Sequence, residues 1–258
     1  MIVLHEPRII ALKAHKVAGT SFEIALSKYA SHDSIITPIL AEDESIRSRL
    51  GFRGPQNYRY RVHELNAISK RDIARAVYDR RLPEKFRNHM SAALAKERLG
   101  AAVWDSYTKV AIVRNPFDYM LSFYFWETAT EKEQQEINFE EFVLSRPDHL
   151  LWNKRIYEID GIDIVDITIR YDRLKDDVVA LEKSHSSLKG LTETFMQLSA
   201  KSGYRSRSKS IDEYYADAPR AFDLIYNLCR TEIRKYYFKV PDTTPIRPRR
   251  QASWHSKS

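Results

Sequence analysis

Cysteine is almost missing from this chain: Cys229 is the only one in 258 residues. A lone thiol excludes an internal disulfide framework and suits a reducing compartment. Glycine is scarce as well, with 7 residues, so the loops are few or built from other residues. No Gly-Lys-Ser or Gly-Lys-Thr occurs anywhere, which removes the Walker type of phosphate loop. His63-Glu64 fails the His-Glu-x-x-His spacing at Ala67, and no other histidine or cysteine spacing suggests a metal. No apolar run approaches a membrane span. The first residues, Met1-Ile2-Val3-Leu4-His5-Glu6-Pro7, lack the basic-then-apolar pattern of a secretory signal. Together these absences lead us to expect a cytoplasmic, bacterial protein without a transmembrane segment.

The residues that are present describe one globular domain. A hydrophobic fraction of 43% with 12% aromatics can fill a core at this length. The formal charge is +7, and the stretch from Pro241 holds four basic residues against one acidic. We therefore expect a domain over 1–240 and a basic, proline-rich, disordered tail over 241–258. A body this mildly basic does not demand nucleic acid; it suits an anionic nucleotide.

The most informative stretch is Val110-Ala111-Ile112-Val113-Arg114-Asn115-Pro116. An apolar strand stops on a fixed positive charge, and proline in the first turn of a helix follows. Such a corner attracts anions through the guanidinium and through the unpaired N–H groups of the helix. A second corner lies at Ile9-Ile10-Ala11-Leu12, followed by Lys16, Gly19, Thr20 and Ser21. Lysine, backbone N–H groups and two hydroxyls supply what a phosphate-like group needs.

Elsewhere the pattern alternates. A strand is expected over 8–14, a helix over 19–29, and a short strand within 35–40. Capped helices are expected over 70–81 after Ser69 and over 92–99 after Ser91. A strand at 108–113 leads to a helix from Pro116 to about Thr128. Further helices fall at 139–144, 172–183 and 219–236, with a strand at 163–170. Glu131–Glu136 reads as a solvated linker. Alternation of this kind implies an α/β fold, a parallel sheet flanked by helices, with ligands at the carboxyl ends of the strands.

Lys16 to Ser21 and Arg114 to Tyr124 together resemble the two signatures of sulfotransferases that use 3′-phosphoadenosine-5′-phosphosulfate (PAPS). The nearest likeness is to carbohydrate O-sulfotransferases and their small bacterial relatives. The family's proline before the loop lysine is His15 here. The resemblance implies a P-loop-like sulfotransferase fold, PAPS as donor, 3′-phosphoadenosine-5′-phosphate as product, and no metal. It implies a carbohydrate or glycolipid acceptor and no nucleic acid; it leaves the oligomeric state open. By the same likeness Lys16 is the catalytic lysine. Lys16, Val17, Ala18, Gly19, Thr20 and Ser21 cradle the 5′-phosphosulfate, while Arg114 and Ser122 hold the 3′-phosphate.

Phe22 and Tyr171 are the aromatic surfaces for adenine, each of which could equally be a core residue. Arg205, Arg207 and Lys209 in a late basic loop are candidates to cover the 3′-phosphate, with a solvated charged loop as the bland alternative. Asp118 is expected to orient Arg114. Tyr119, Leu121, Phe123, Tyr124 and Trp126 are read as packing. A base near neutral pH favours histidine or a tuned carboxylate; His89 is the first choice, followed by His63 and His15. Acceptor walls are expected from the loops over 42–66 and 128–160. Two other readings remain open: a P-loop-type kinase, and a nucleic-acid-binding protein using the basic tail and Asn57-Tyr58-Arg59-Tyr60-Arg61.

Overall fold

The computed structural model describes residues 1–130, 137–199 and 209–243. Its centre is a five-stranded mixed sheet flanked by helices. The strands are β1 (Ile2–Leu4), β2 (Ile9–Leu12), β3 (Ile35–Ile36), β4 (Thr108–Val113), β5 (Glu158–Ile159), β6 (Ile162–Asp163) and β7 (Ile167–Arg170). The main sheet runs in the order β3-β1-β2-β4-β7, and β5 and β6 form a separate hairpin.

The expectation of a parallel sheet holds for half of it. β2, β4 and β7 are parallel, with Ala11 beside Val110 and Val110 beside Ile167. β1 is antiparallel to both β2 and β3. The reason is chain length. Only residues 5–8 separate β1 from β2, enough for a hairpin turn and far too few for a parallel crossover. β4 lies between β2 and β7 and is buried from Lys109 to Val113, which explains its unbroken apolar run.

The helices are α1 (Gly19–Ser27), α2 (Ala41–Arg49), α3 (Lys70–Tyr78), α4 (Ala92–Leu99), α5 (Ala101–Ser106), α6 (Pro116–Thr130) and α7 (Phe139–Leu144). They continue with α8 (Pro147–Trp152), α9 (Lys154–Tyr157), α10 (Leu174–Ser184), α11 (Leu191–Ser199), α12 (Ile211–Ala216) and α13 (Pro219–Lys235). Ser69 caps α3 by accepting from the Asp72 N–H, and Ser91 caps α4 by accepting from that of Leu94. α3 ends at Tyr78, earlier than the expected Arg81. The expected strand at 163–170 divides into β6 and β7, because the Asp163 carboxylate turns back to accept from the Val165 N–H at 2.7 Å. The helix expected at 139–144 is α7; the stretches expected to be loops further contain α2 and a 3-10 turn (Val62–Ala67) in one case, and α8, α9 and β5 in the other. Residues 131–136 and 244–258, expected as linker and tail, lie outside the described residues.

Candidate functional site

The carboxyl ends of β2 and β4 lie side by side because the two strands are paired in parallel. The segment leaving β2 is built unusually. Lys16 has φ +57° and Ala18, which precedes α1, has φ +59°. Left-handed conformations on side-chain-bearing residues cost of order 1–3 kcal/mol each and persist only where surroundings hold them. Here the holders are visible. The Asn153 side chain accepts from the His15 N–H at 2.7 Å and donates to the His15 carbonyl at 3.2 Å. Arg114 donates through Nη1 to the Lys16 carbonyl at 2.5 Å.

That last bond joins the two anion corners. Arg114 also donates through Nε to Asp118 at 2.6 Å, so Asp118 orients it as expected. Its guanidinium lies 4.0 Å from the centroid of the Tyr171 ring. The Lys16 ammonium lies 4.6 Å from the ring centre of Trp126, one of the aromatics read as packing. Trp126 is 39% exposed, unlike Tyr119, Leu121 and Phe123, which are buried on the same helix. Its position one helical turn after Ser122 was the available signal. Burial and the nearby Arg114 lower the Lys16 ammonium to about 8.

The start of α1 carries the expected phosphate-binding groups. Its first bond runs from the Phe22 N–H to the Ala18 carbonyl at 3.2 Å. The N–H groups at the head of a helix have no intrahelical partner. Thr20 and Ser21 are half-buried and do not cap the helix; Ala18 occupies that position. Val17 is buried. Gly19 is needed for space, since a Cβ there would meet Lys13 Cγ at 3.0 Å. Lys13 itself is buried and bound to Glu23 at 2.8 Å, which keeps it apart from the role given to Lys16.

His89 reaches the same place from the other side. Its Nδ1 lies 3.1 Å from the Lys13 carbonyl, an acceptor only, so Nδ1 carries the proton and Nε2 the lone pair. Its ring stacks on His15 at 3.7 Å between centroids. Burial, then the neighbouring His15 and Lys13, push His89 down to about 3. Burial, then His149, Lys13 and Lys16, push His15 down to about 4. Both rings are neutral at neutral pH. Lys13, Thr20 and His89 line a cavity of about 490 Å³ together with Arg75, Arg81 and Arg87 and the acids Asp43, Asp79 and Glu84.

Other expected site residues fall elsewhere. Phe22 is buried, edge-on to Phe195 with centroids 5.5 Å apart, and serves the core. Ser122 is half-buried on α6, one turn beyond Asp118. His63 is exposed in the 3-10 turn over 62–67. Lys209 pairs with Asp217 at 2.7 Å and lines a different cavity, beside Tyr124 and Arg220. Arg205 and Arg207 lie outside the described residues. Among the described residues, no helix is long and apolar enough to cross a membrane. No family model matches the chain, and neither the curated proteins nor the solved structures gave a match.

Proposed function

We propose that this protein is a PAPS-dependent sulfotransferase that moves a sulfuryl group to an acceptor hydroxyl on a carbohydrate or glycolipid. The observation that carries the reading is the bond from Arg114 to the Lys16 carbonyl. It sets the lysine-headed turn beside the start of the arginine–serine segment, an adjacency that a nucleotide with phosphates at both ends would require. Tyr171 beneath Arg114 supplies a flat surface beside that anion corner.

In the proposed reaction the acceptor oxygen attacks sulfur in line with the leaving nucleotide. The acceptor O–H proton goes to His89 Nε2 as the new O–S bond forms. The bond from sulfur to the bridging oxygen breaks, and its electron pair stays on the 5′-phosphate. Lys16 meets that growing charge. A positioned cation of this type is worth about 10²–10³ in rate. His89 is a weak base in the empty protein, because charging it is penalised by burial. A polyanionic donor alongside would favour its protonated form.

The test is thermal stabilisation by 3′-phosphoadenosine-5′-phosphate, by ATP with magnesium, and by an oligonucleotide. The reading expects the bisphosphate nucleotide to stabilise the protein, and Arg114→Ala to lose that response. With labelled PAPS and a glycan and glycolipid panel, Lys16→Ala should lower turnover about 10²–10³-fold. Stabilisation by ATP with magnesium alone would replace this reading with a kinase.

A further inference from the structure

Residues 58–87 leave the body of the protein and return to their starting point. The Phe86 N–H donates to the Tyr58 carbonyl at 2.8 Å, and Arg59 bridges to Glu84 just above. Within this excursion α3 buries one side chain, Asp72, and exposes its aliphatic residues beside its basic ones. Its acid faces the protein: Asp72 is buried, with both carboxylate oxygens 2.7 Å from Arg98 and a further bond from Tyr60. Its aliphatic row faces solvent. Ile73 and Val77, one turn apart, are 50% and 73% exposed, and Tyr78 is 87% exposed. Elsewhere in the excursion Val62 is 86%, Leu65 53% and Leu82 66% exposed. A helix that buries its acid and leaves aliphatic side chains exposed among the exposed cations Lys70, Arg71 and Arg75 marks a contact surface.

Charge says what kind of surface fits. Residues 58–87 hold nine basic residues (Arg59, Arg61, Lys70, Arg71, Arg75, Arg80, Arg81, Lys85 and Arg87) against four acidic (Glu64, Asp72, Asp79 and Glu84). That surplus of five is most of the chain's +7. Three of the acids are already engaged, Asp72 by Arg98 from outside the excursion, and Glu64 and Asp79 by Lys85 and Arg75 within it. Aliphatic side chains ringed by cations match the boundary between anionic headgroups and acyl chains. Single-stranded nucleic acid is served by aromatic platforms in place of an aliphatic row. A second copy would bring like charge against like charge.

We propose that the 58–87 excursion docks the protein on an anionic membrane surface. The same excursion lends Arg75, Arg81 and Arg87, along with Asp79 and Glu84, to the cavity that holds Lys13, Thr20 and His89. Docking therefore sets the mouth of that cavity against the lipid, and its acceptors are hydroxyl groups carried on lipid headgroups. The docking rests on the excursion alone; the acceptor class rests also on the sulfuryl-transfer reading.

Co-sedimentation of the full chain with vesicles tests it, without nucleotide. The protein should pellet with phosphatidylcholine–phosphatidylglycerol vesicles and stay in solution with phosphatidylcholine alone. Val77→Asp and Leu82→Asp should abolish pelleting. Arg71→Glu with Arg80→Glu should weaken it at least about tenfold. All four positions are exposed, so the melting temperature should hold. Failure to pellet with either vesicle overturns the proposal, as does pelleting that survives Val77→Asp in a folded variant. A dimer or an oligonucleotide complex that Val77→Asp destroys, in a protein that ignores vesicles, overturns it too. Vesicle binding without any response to the bisphosphate nucleotide would remove the sulfuryl-transfer reading and leave the docking intact.

Discussion

Arg114 shows how little freedom a well-placed side chain retains. Of its five N–H donors, one goes to Asp118 and one to the Lys16 carbonyl, so three remain, all on the Nη edge. Its flat face is covered on one side by Tyr171. An anion can be gripped from one edge alone. Lysine cannot reproduce this fork, so Arg114→Lys should weaken bisphosphate nucleotide binding by about tenfold or more despite keeping the charge; titration calorimetry measures this, and unchanged affinity would remove Arg114 from the 3′-phosphate site. Lys16 makes a different prediction. Its ammonium is lowered to about 8, so above that pH the empty protein has largely given up the proton. A bound polyanion restores it. Nucleotide binding at pH 8.5 to 9 should take up a proton, read from calorimetry in buffers of different ionisation enthalpy, and Lys16→Met should abolish that uptake.

Among the elements, those with local chemical signals were legible in sequence. β4 was readable because an apolar run ends on Arg114, and α3 and α4 because Ser69 and Ser91 cap them. Neither the strand β1 nor the helix α2 is among the expected elements. β1 is apolar throughout, and only its pairing reveals that it runs against β2. α2 carries Glu42, Asp43 and Glu44 in its first turn and Arg47 and Arg49 in its last, a dipole pattern that was there to be read. In the site, the Lys16 and Arg114 corners were visible because each is written in consecutive residues. The Trp126 platform and the His15–His89 stack were not, since each joins residues far apart in sequence. What the glycine of the turn supplies is space against Lys13, a contact the sequence does not display. Gly19→Ala should therefore destabilise the protein by about 1–3 kcal/mol by overpacking, and disturb the Lys13–Glu23 pair. A melting temperature equal to that of the parent would show that the turn yields freely.

For the molecule as a whole, the neutral histidines set an acid limit. His15 and His89 have ordinary values of 6.5 in the unfolded chain and are held to about 4 and about 3 when folded. As pH falls below 6.5 the unfolded chain takes up protons that the folded one refuses, so the contribution is whole above that point and is lost on acidification. The melting temperature should fall between pH 6.5 and 5, before most carboxylates titrate. His89→Asn should flatten that slope even if it lowers stability everywhere. An unchanged slope would mean that the ring is charged in the native state.

One further consequence follows from the way Tyr58 and Phe86 close the base of the excursion. Its two stems meet, so this piece of chain could be shortened or exchanged for another without rethreading the sheet. On the readings proposed above, the sulfuryl-transfer body and its membrane-docking piece are then separable parts. A graft of a different excursion onto the same stems would redirect the protein to another location while the Lys16 and Arg114 corner stayed as it was.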